Sequence, residues 1–268
     1  MNRIEQRFKA LSQDGRKALI PYVMAGDPSL AETVPLMHAL VKAGADLIEL
    51  GVPFSDPMAD GPVIQAAGER ALAQGVSLQD VLGLLHQFRT NDTGTPVLLM
   101  GYLNPIEIMG YDTFADAAAS AGVDGVLTVD LPPEESDPLL SALDRVGLDA
   151  IFLTAPTTSD LRLERIAGAA RGFIYYVSLK GVTGSNAIDT DGVQDKLGKL
   201  RALTDLPLGV GFGIATPEAA AEVGAYADAV VVGSALVRRV GEFGSDPERM
   251  RHEVCELLGG MRAALDAA

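Results

Sequence analysis

The sequence is poor in cysteine and histidine, and this scarcity excludes several kinds of site. It has one cysteine, Cys255, so no disulfide can form within the chain. The three histidines lie far apart, each in a segment of helical periodicity, and no Cys/His cluster has metal-ligand spacing. We therefore expect no metal site, and packing or surface roles for His38, His86 and His252.

Long apolar runs and an excess of positive charge are also missing. The longest apolar stretch, around residues 229–237, is too short to span a bilayer, and the N-terminus lacks the apolar run of a signal peptide. The formal net charge is −15, which repels phosphate backbones and anionic lipid surfaces. These absences predict a cytoplasmic protein that binds neither nucleic acid nor membrane. A small anion can still bind through backbone N–H groups.

One sequence pattern recurs along the chain of 268 residues, of which 48% are hydrophobic. A glycine, an aspartate and an apolar run succeed one another at residues 43–51, 121–129, 146–154 and 223–233. This order predicts a helix that ends at a glycine, a tight turn and a buried strand. The apolar runs are near-continuous and rich in Val, Ile and Leu, which is typical of parallel strands covered on both faces.

Eight apolar runs alternate with segments of helical periodicity, and this alternation predicts the fold. Strands are expected at about residues 19–25, 46–51, 97–101, 124–129, 149–154, 173–178, 207–212 and 229–233. Eight β-then-α units indicate an α/β protein of the (β/α)8 TIM barrel type, and residues 1–268 form one domain because no linker interrupts them. A doubly wound open sheet is the alternative, although no GxGxxG follows the first strand. The spacing of Ile4, Phe8 and Leu11 predicts an extra N-terminal helix.

Two units have extra length after their strands, where barrel enzymes keep their active sites. After the second strand, helix-like stretches near 62–74 and 78–90 precede the third strand. After the sixth strand, a long excursion runs from Ser178 to about Lys196 before the helix. We expect the catalytic residues to lie first of all in the loops after strands two and six. Separately, we expect additional helices in the second and eighth units.

Glu49 interrupts the second apolar run, between Ile48 and Leu50. Side chains alternate along a strand, so if Ile48 and Leu50 face the helices, Glu49 points into the barrel near its C-terminal mouth. Burial there raises the pKa of a carboxyl and suits it to proton transfer near neutral pH. The alternative is a core glutamate neutralised by arginine, but no other strand run contains an arginine and only the sixth approaches a lysine, Lys180. We favour the catalytic interpretation.

Asp60 lies in an acidic loop that Pro53, Pro57 and Pro62 stiffen. It directly precedes the helix-like segment GPVIQAAGERAL. Aspartate is an ordinary helix N-cap, and it is also the residue type needed for a second catalytic carboxylate held near Glu49. The pattern of residues leaves both interpretations open.

Three glycine-rich strand ends on the other side of the barrel indicate an anion site: GVTG (181–184), GFG (211–213) and GSAL (233–236). Each presents backbone N–H groups that no side chain covers, and Ser234 adds a hydroxyl at the start of a helix. Barrels frequently hold phosphate in the loops after strands seven and eight. We therefore predict a phosphorylated small-molecule substrate held by main-chain dipoles.

Five stretches together carry a family resemblance: PYVMAGDP (21–28), ELGVPFSDPMADGP (49–62), YYVSLKGVTG (175–184), GVGFGIATPE (209–218) and GSALV (233–237). From about Leu19 to Val237 the chain resembles the tryptophan synthase alpha chain family. The resemblance implies a lyase with a single (β/α)8 barrel, which cleaves indole-3-glycerol phosphate to indole and glyceraldehyde 3-phosphate in tryptophan biosynthesis. The sequence departs from the family pattern at Met24 and Met58, where threonine and leucine are usual.

The resemblance also implies roles for individual residues. Glu49 matches the proton-transferring glutamate, Asp60 the aspartate that interacts with the indole N–H, and Tyr175 an active-site tyrosine. The residues that match the phosphate cradle are Gly184, Gly213, Gly233 and Ser234. Those that match the indole pocket are Tyr22, Met100, Tyr102, Leu153 and Phe212. Thr183 matches a position in the closing loop.

The partner that the resemblance implies is a tryptophan synthase beta chain, in an alpha2beta2 heterotetramer that passes indole between the chains. Pyridoxal phosphate is expected in that beta chain and no cofactor in this one. The family's subunit contact is matched by Asp56, Pro57, Asn104 and Pro132.

Two rivals remain open on the residues alone. One is another phosphate-binding barrel, an aldolase or isomerase, for which Lys180 is the nearest Schiff-base candidate. The other is a non-catalytic barrel that serves as a regulatory subunit. Glu49 inside a strand argues against the second rival, because an unpaired buried carboxylate costs stability.

Overall fold

The computed structural model describes residues 2–178, 190–211 and 213–268. Eight parallel strands pair in sequence order, and the last pairs with the first to close a barrel. The strands are β1 (Ala18–Met24), β2 (Ile48–Gly51), β3 (Val97–Gly101), β4 (Gly125–Thr128), β5 (Asp149–Thr154), β6 (Ile174–Val177), β7 (Leu208–Gly211) and β8 (Ala229–Val232). Each overlaps a predicted run. The (β/α)8 barrel is confirmed, and the open-sheet alternative is wrong.

Helices cover the outside of the barrel. In the described ranges they are α1 (Arg3–Gln13), α2 (Leu30–Lys42), α3 (Pro62–Leu72), α4 (Leu78–Arg89), α5 (Leu103–Met109), α6 (Tyr111–Ala121), α7 (Asp137–Val146), α8 (Asp160–Ala169), α9 (Thr190–Arg201), α10 (Pro217–Gly224), α11 (Ser234–Phe243) and α12 (Pro247–Ala267), with a 3₁₀ turn at Pro133–Glu135. The helix before β1 and the second helices of units two and eight occur as predicted. Across these ranges, every helix is too short or too polar to cross a membrane.

Two helical details differ from the expectation. The third unit also holds two helices, because the seven-residue α5 precedes α6 and ends at Gly110, where φ is 87°. So short a helix carries too little periodicity to be predicted. Helix α9 begins at Thr190, earlier than the expected start near Lys196. Its first buried apolar residue is Val193, so its polar first turn gave no helical signal.

The strands divide the apolar side chains between two cores. The larger core lies between strands and helices. The smaller one fills the barrel, and α1 adds Ile4, Phe8 and Leu11 to it. The rings of Phe8 and Phe173 lie 5.7 Å apart, next to the start of β6. Helix α1 therefore closes the N-terminal end of the barrel, opposite the mouth where the predicted site lies.

Three aspartates of the recurring sequence pattern stabilise that closed end. Asp46, Asp124 and Asp228 accept hydrogen bonds of 2.9, 2.8 and 2.9 Å from backbone N–H groups near the start of the preceding strand. The first two also form ion pairs with two arginines each: Arg7 and Arg262 for Asp46, Arg3 and Arg89 for Asp124. These carboxylates are satisfied by main-chain donors and arginines, so their role is structural.

Candidate active site

Glu49 lies inside the barrel, near the C-terminal end of β2. Its partners in the sheet are Tyr22 of β1 and Leu98 of β3. Leu98 belongs to the inner core, whereas Ile48 and Leu50 belong to the outer one. The Glu49 side chain is buried, with 1% exposure. Its orientation is the one that strand alternation predicts.

The Glu49 carboxyl is not neutralised by any cation of the described residues. Its Oε1 oxygen is buried and makes no hydrogen bond within those ranges. Burial raises its pKa from 4.5 to about 8, and no nearby charge offsets the shift. The alternative of a core glutamate paired with an arginine is therefore wrong for the described part of the chain. Burying such a group costs stability, which favours function over packing as the explanation for Glu49.

Asp60 reaches the same mouth from the loop between β2 and α3. The N-cap of α3 is Gly61, and no side chain caps that helix, so the N-cap interpretation of Asp60 is wrong. The backbone carbonyl of Asp60 accepts a hydrogen bond of 2.8 Å from Gln65 Nε2, which fixes the residue at the helix start. Burial raises the pKa of its carboxyl to about 6, and hydrogen bonding with Tyr102 opposes that rise.

Tyr102 ties the acidic loop to the end of β3. Its hydroxyl accepts a hydrogen bond of 3.0 Å from the N–H of Ala59. Its ring stacks on Phe54, with centroids 5.2 Å apart. Burial raises the pKa of Tyr102 to about 12, so the phenol keeps its proton and remains a donor for Asp60. These contacts hold the second carboxyl at a fixed place relative to the barrel.

Gly51 and Gly211 make room for two buried tyrosines. A Cβ atom on Gly51 would lie 2.2 Å from the Tyr22 hydroxyl, and one on Gly211 would lie 2.2 Å from the Tyr175 hydroxyl. Gly51 had no predicted role, and Gly211 had only a place in the predicted phosphate patch. The signal that was available is a glycine inside an apolar strand run, which is typical of a close approach by another group.

Aromatic and apolar side chains lie near the two carboxyls. Tyr22 and Tyr175 are buried there, and burial followed by neighbouring carboxylates, Glu49 among them, raises the pKa of each phenol well above its ordinary value. Met100 and Leu153 are half-buried and pack on the inner core. Within the described ranges, no cluster of His, Cys, Asp and Glu could hold a metal ion.

Two of the three predicted glycine patches meet at neighbouring strand ends, because β7 pairs with β8. Gly213 has a φ of 77° and open space where a Cβ would stand. Gly233 is the N-cap of α11 and Ser234 its exposed first residue, and no side chain caps this helix. The first N–H groups of α11 have no intrahelical acceptor, and a helix end of this kind is suited to bind an anion. The structure does not describe Gly184, Thr183, Phe212 or Lys180.

The four predicted partner residues lie just after β2, β3 and β4 on the mouth side: Asp56 and Pro57, then Asn104, then Pro132. Two large apolar side chains, those of Met58 and Ile108, lie near these residues in the chain. Each of the two is 80% exposed. We call these six residues the partner rim. The exposure of the two apolar side chains beside the four predicted contact residues is compatible with a surface that another protein covers.

Comparison with known proteins points to one family. The family model for tryptophan synthase alpha chain matches residues 8–266. The tryptophan synthase alpha chain of Thioalkalivibrio sulfidiphilus (strain HL-EbGR7) is 65% identical, over 99% of this chain and 100% of that one. Tryptophan synthase subunit alpha from Legionella pneumophila str. Paris superposes with a TM-score of 0.93 at 48% identity, over 100% of both chains. An aminoacrylate-bound tryptophan synthase structure from M. tuberculosis gives 0.87 at 36% identity, over 99% of this chain and 100% of that one.

Proposed function

The chain belongs to the tryptophan synthase alpha chain family and cleaves indole-3-glycerol phosphate, and we propose that Glu49 and Asp60 carry the acid–base chemistry of this cleavage. The supporting observation is a pair of carboxyls at one barrel mouth, Glu49 buried and Asp60 half-buried, with pKa values of about 8 and about 6. Near neutral pH, Glu49 is then mostly protonated and Asp60 mostly ionised. Glu49 therefore starts the reaction as an acid, and Asp60 starts it as an anion that can stabilise positive charge.

The bond to be broken joins C3 of indole to the glycerol chain. Glu49 donates its proton to C3, and the Asp60 carboxylate accepts a hydrogen bond from N1–H and stabilises the positive charge that develops there. The resulting Glu49 carboxylate then takes the proton of the adjacent glycerol hydroxyl. The carbon–carbon bond breaks, and its electron pair restores the aromatic ring of indole. Glyceraldehyde 3-phosphate forms as an aldehyde, and Glu49 is protonated again.

The indole ring lies beside the two carboxyls in this proposal. The family resemblance assigns its contacts to Tyr22, Met100, Tyr102, Leu153 and Phe212, and the first four lie among the described residues. Tyr175 is proposed to contact the substrate beside Glu49, because the family resemblance gives it an active-site role. Burial, and then the charge of Glu49, raises the pKa of its phenol, so the hydroxyl stays protonated. Tyr102 has a second task, because its hydroxyl keeps Asp60 in place for the indole N–H.

Backbone amides hold the phosphate in this proposal. The exposed start of α11 and the open backbone at Gly213 support it. Gly233 and Ser234 supply the helix end, and the resemblance assigns Gly184 to the same cradle and Thr183 to the loop that closes over it. A chain of net charge −15 can hold an anion in this way without lysines. Binding this remote group orients the bond that breaks.

The rate of indole release is expected to have a bell-shaped pH dependence. Because Asp60 must be ionised, kcat/KM should fall below about pH 6, and because Glu49 must be protonated, it should fall above about pH 8. Asp60→Asn should lower kcat by about 10²-fold, since a neutral amide stabilises charge on N1 poorly. The acidic limb should disappear in that variant, because the amide does not titrate.

Glu69→Gln is the matched control, since it neutralises an exposed carboxylate on α3, the helix that follows Asp60. It should leave the rate and both limbs unchanged. An acidic limb that survives in Asp60→Asn would contradict the role given to Asp60. Indole release from indole-3-glycerol phosphate, followed with and without a beta chain, measures all three proteins.

Family membership implies a tryptophan synthase beta chain as partner. We propose an alpha2beta2 assembly in which the beta chain carries pyridoxal phosphate and receives indole from this chain. The partner rim is the proposed contact, because it combines exposed apolar side chains with the residues that match the family's subunit contact. It adjoins the active site through the loop that carries both Asp56 and Asp60.

Ile108→Asp is expected to weaken beta-chain binding by about tenfold or more, because it buries an unpaired charge at an apolar contact. Indole release by the isolated chain should be unchanged. Leu203→Asp is the matched control, since Leu203 is 42% exposed beyond the end of α9, at the closed end of the barrel. Isothermal titration calorimetry with a purified beta chain measures both variants. Unchanged affinity in Ile108→Asp would contradict the proposed interface.

We also propose that residues 1–268 act as a single domain in the cytoplasm. The closed barrel supports this, as do the contacts that α1 and α12, near the two ends of the chain, make with the rest of the molecule. The negative net charge disfavours nucleic acid and anionic membranes as partners.

A further inference from the structure

The Tyr22 side chain lies at the barrel mouth, between the proposed phosphate site at the start of α11 and the carboxyls of Glu49 and Asp60, which we call the acid pair. Its own Cβ lies 3.7 Å from the point where a Cβ on Gly233 would stand, and its hydroxyl lies 2.2 Å from the corresponding point on Gly51. It is also the register partner of Glu49 in the sheet. The side chain therefore follows the path that a glycerol chain must take between a phosphate at β8 and an indole C3 at Glu49.

The Tyr22 hydroxyl is a buried donor that has only a weak acceptor. Among the described residues, its hydrogen-bond partner is the thioether sulfur of Met24, at 3.9 Å. Sulfur is a weak acceptor, whereas a phenol is a good donor. Because the side chain is buried, bulk water offers little alternative. The donor is therefore available to a ligand that brings an oxygen into the mouth.

The surroundings of Tyr22 keep its hydroxyl protonated. Burial raises its pKa well above the ordinary value, and four neighbours add to the rise, in descending order Asp60, Glu49, Tyr102 and Asp27. Asp27 is itself bound by Arg70 through contacts of 2.7 and 2.8 Å. The phenol is thus a donor over the whole pH range in which the acid pair works, and it carries no negative charge that would repel a phosphorylated ligand.

We propose that the Tyr22 hydroxyl donates a hydrogen bond to a glycerol hydroxyl of the substrate and thereby selects a hydroxylated side chain. The inference rests on the proposed function, because Glu49 and the proposed phosphate site define where the glycerol lies. Binding exchanges the weak contact with Met24 for a stronger one to oxygen. An indole phosphate whose three-carbon chain has no hydroxyls offers no acceptor, so Tyr22 should not contribute to its affinity.

Tyr22→Phe tests the inference, because it removes one oxygen and keeps the ring in place. We expect kcat/KM for indole-3-glycerol phosphate to fall by about tenfold, the effect of one lost hydrogen bond. The inhibition constant of 3-indolylpropyl phosphate, the same molecule without the glycerol hydroxyls, should be unchanged. Two ligands measured on two proteins isolate the contact between the two oxygens from any general change in the pocket.

Met24→Leu is the control, since it removes the sulfur acceptor and keeps an apolar side chain of similar size. 3-Indolylpropyl phosphate should bind it as it binds the parent chain, and indole-3-glycerol phosphate should bind it at least as tightly, because Tyr22 has no contact with sulfur to give up. Equal losses for both ligands in Tyr22→Phe would overturn the inference in favour of an effect on pocket shape. No loss for either ligand would overturn it as well. A Glu49→Gln variant that stayed active would sink the proposed function, yet it would leave this comparison of ligands intact, so the two failures are distinguishable.

Discussion

Indole release from indole-3-glycerol phosphate is expected to fall by about 10³-fold or more when Glu49 is replaced with glutamine, because one carboxyl serves both as acid and as base in the same turnover. Glutamine has nearly the same shape but can neither give a proton to C3 nor take one from the glycerol hydroxyl. Since the proposed contacts with the phosphate and with the indole ring are made by other residues, substrate affinity should be largely retained. Single-turnover indole release measures the rate, and equilibrium binding measures the affinity.

Two comparisons make this expectation specific. Glu69→Gln makes the same chemical change at an exposed position on α3 and should leave the rate intact. A circular-dichroism spectrum like that of the parent chain shows whether the barrel still forms in Glu49→Gln. Full activity in correctly folded Glu49→Gln protein would remove the mechanism, whatever the affinity.

The strands and the orientation of Glu49 follow from the sequence because both depend on local pattern. A near-continuous apolar run after a glycine and an aspartate can hardly form anything but a buried parallel strand. Once that strand exists, the strict alternation of side chains decides where Glu49 points. Ile48 and Leu50 then face the helices, as the structure shows.

Asp60 marks where local pattern stops being informative. Its sequence neighbours fit an N-cap and a catalytic carboxylate equally well, and the choice depends on contacts with residues far along the chain. Tyr102 is such a contact, and it follows a different strand. Local pattern also does not reveal that tyrosines pack on Gly51 and Gly211, because each of these contacts joins two separate strands of the barrel.

The closed end of the barrel shows a related limit. The recurring aspartates read as turn residues in the sequence, and the turns are indeed there. Their hydrogen bonds to the start of a neighbouring strand, and the arginines that Asp46 and Asp124 bind, depend on closure of the barrel. Sequence pattern identifies a residue type suited to a turn, and only the folded chain shows which donors meet it.

Glutamine at position 49 is also expected to raise the free energy of unfolding, by roughly 3 kcal/mol near pH 7. The pKa of Glu49 is about 8 in the folded chain and 4.5 in an exposed glutamate. Between these values the unfolded chain loses the proton while the folded chain keeps it. The folded state therefore binds more protons, and stability falls as pH rises from about 4.5 to about 8. Glutamine does not titrate, so the variant escapes this loss.

The gain in stability should therefore grow with pH, and this dependence separates a desolvated acid from a simple change in packing. Urea unfolding of both proteins at about pH 5 and about pH 8 should give a difference of roughly 1 kcal/mol at the lower pH and roughly 4 kcal/mol at the higher. Asp60 also titrates in this range, but it is present in both proteins and its contribution cancels. Glu69→Gln should show no such trend. A difference independent of pH would mean that the pKa of Glu49 is the same in the folded and the unfolded chain. Glu49 would then be ionised near neutral pH and could not supply the proton that the proposed cleavage requires.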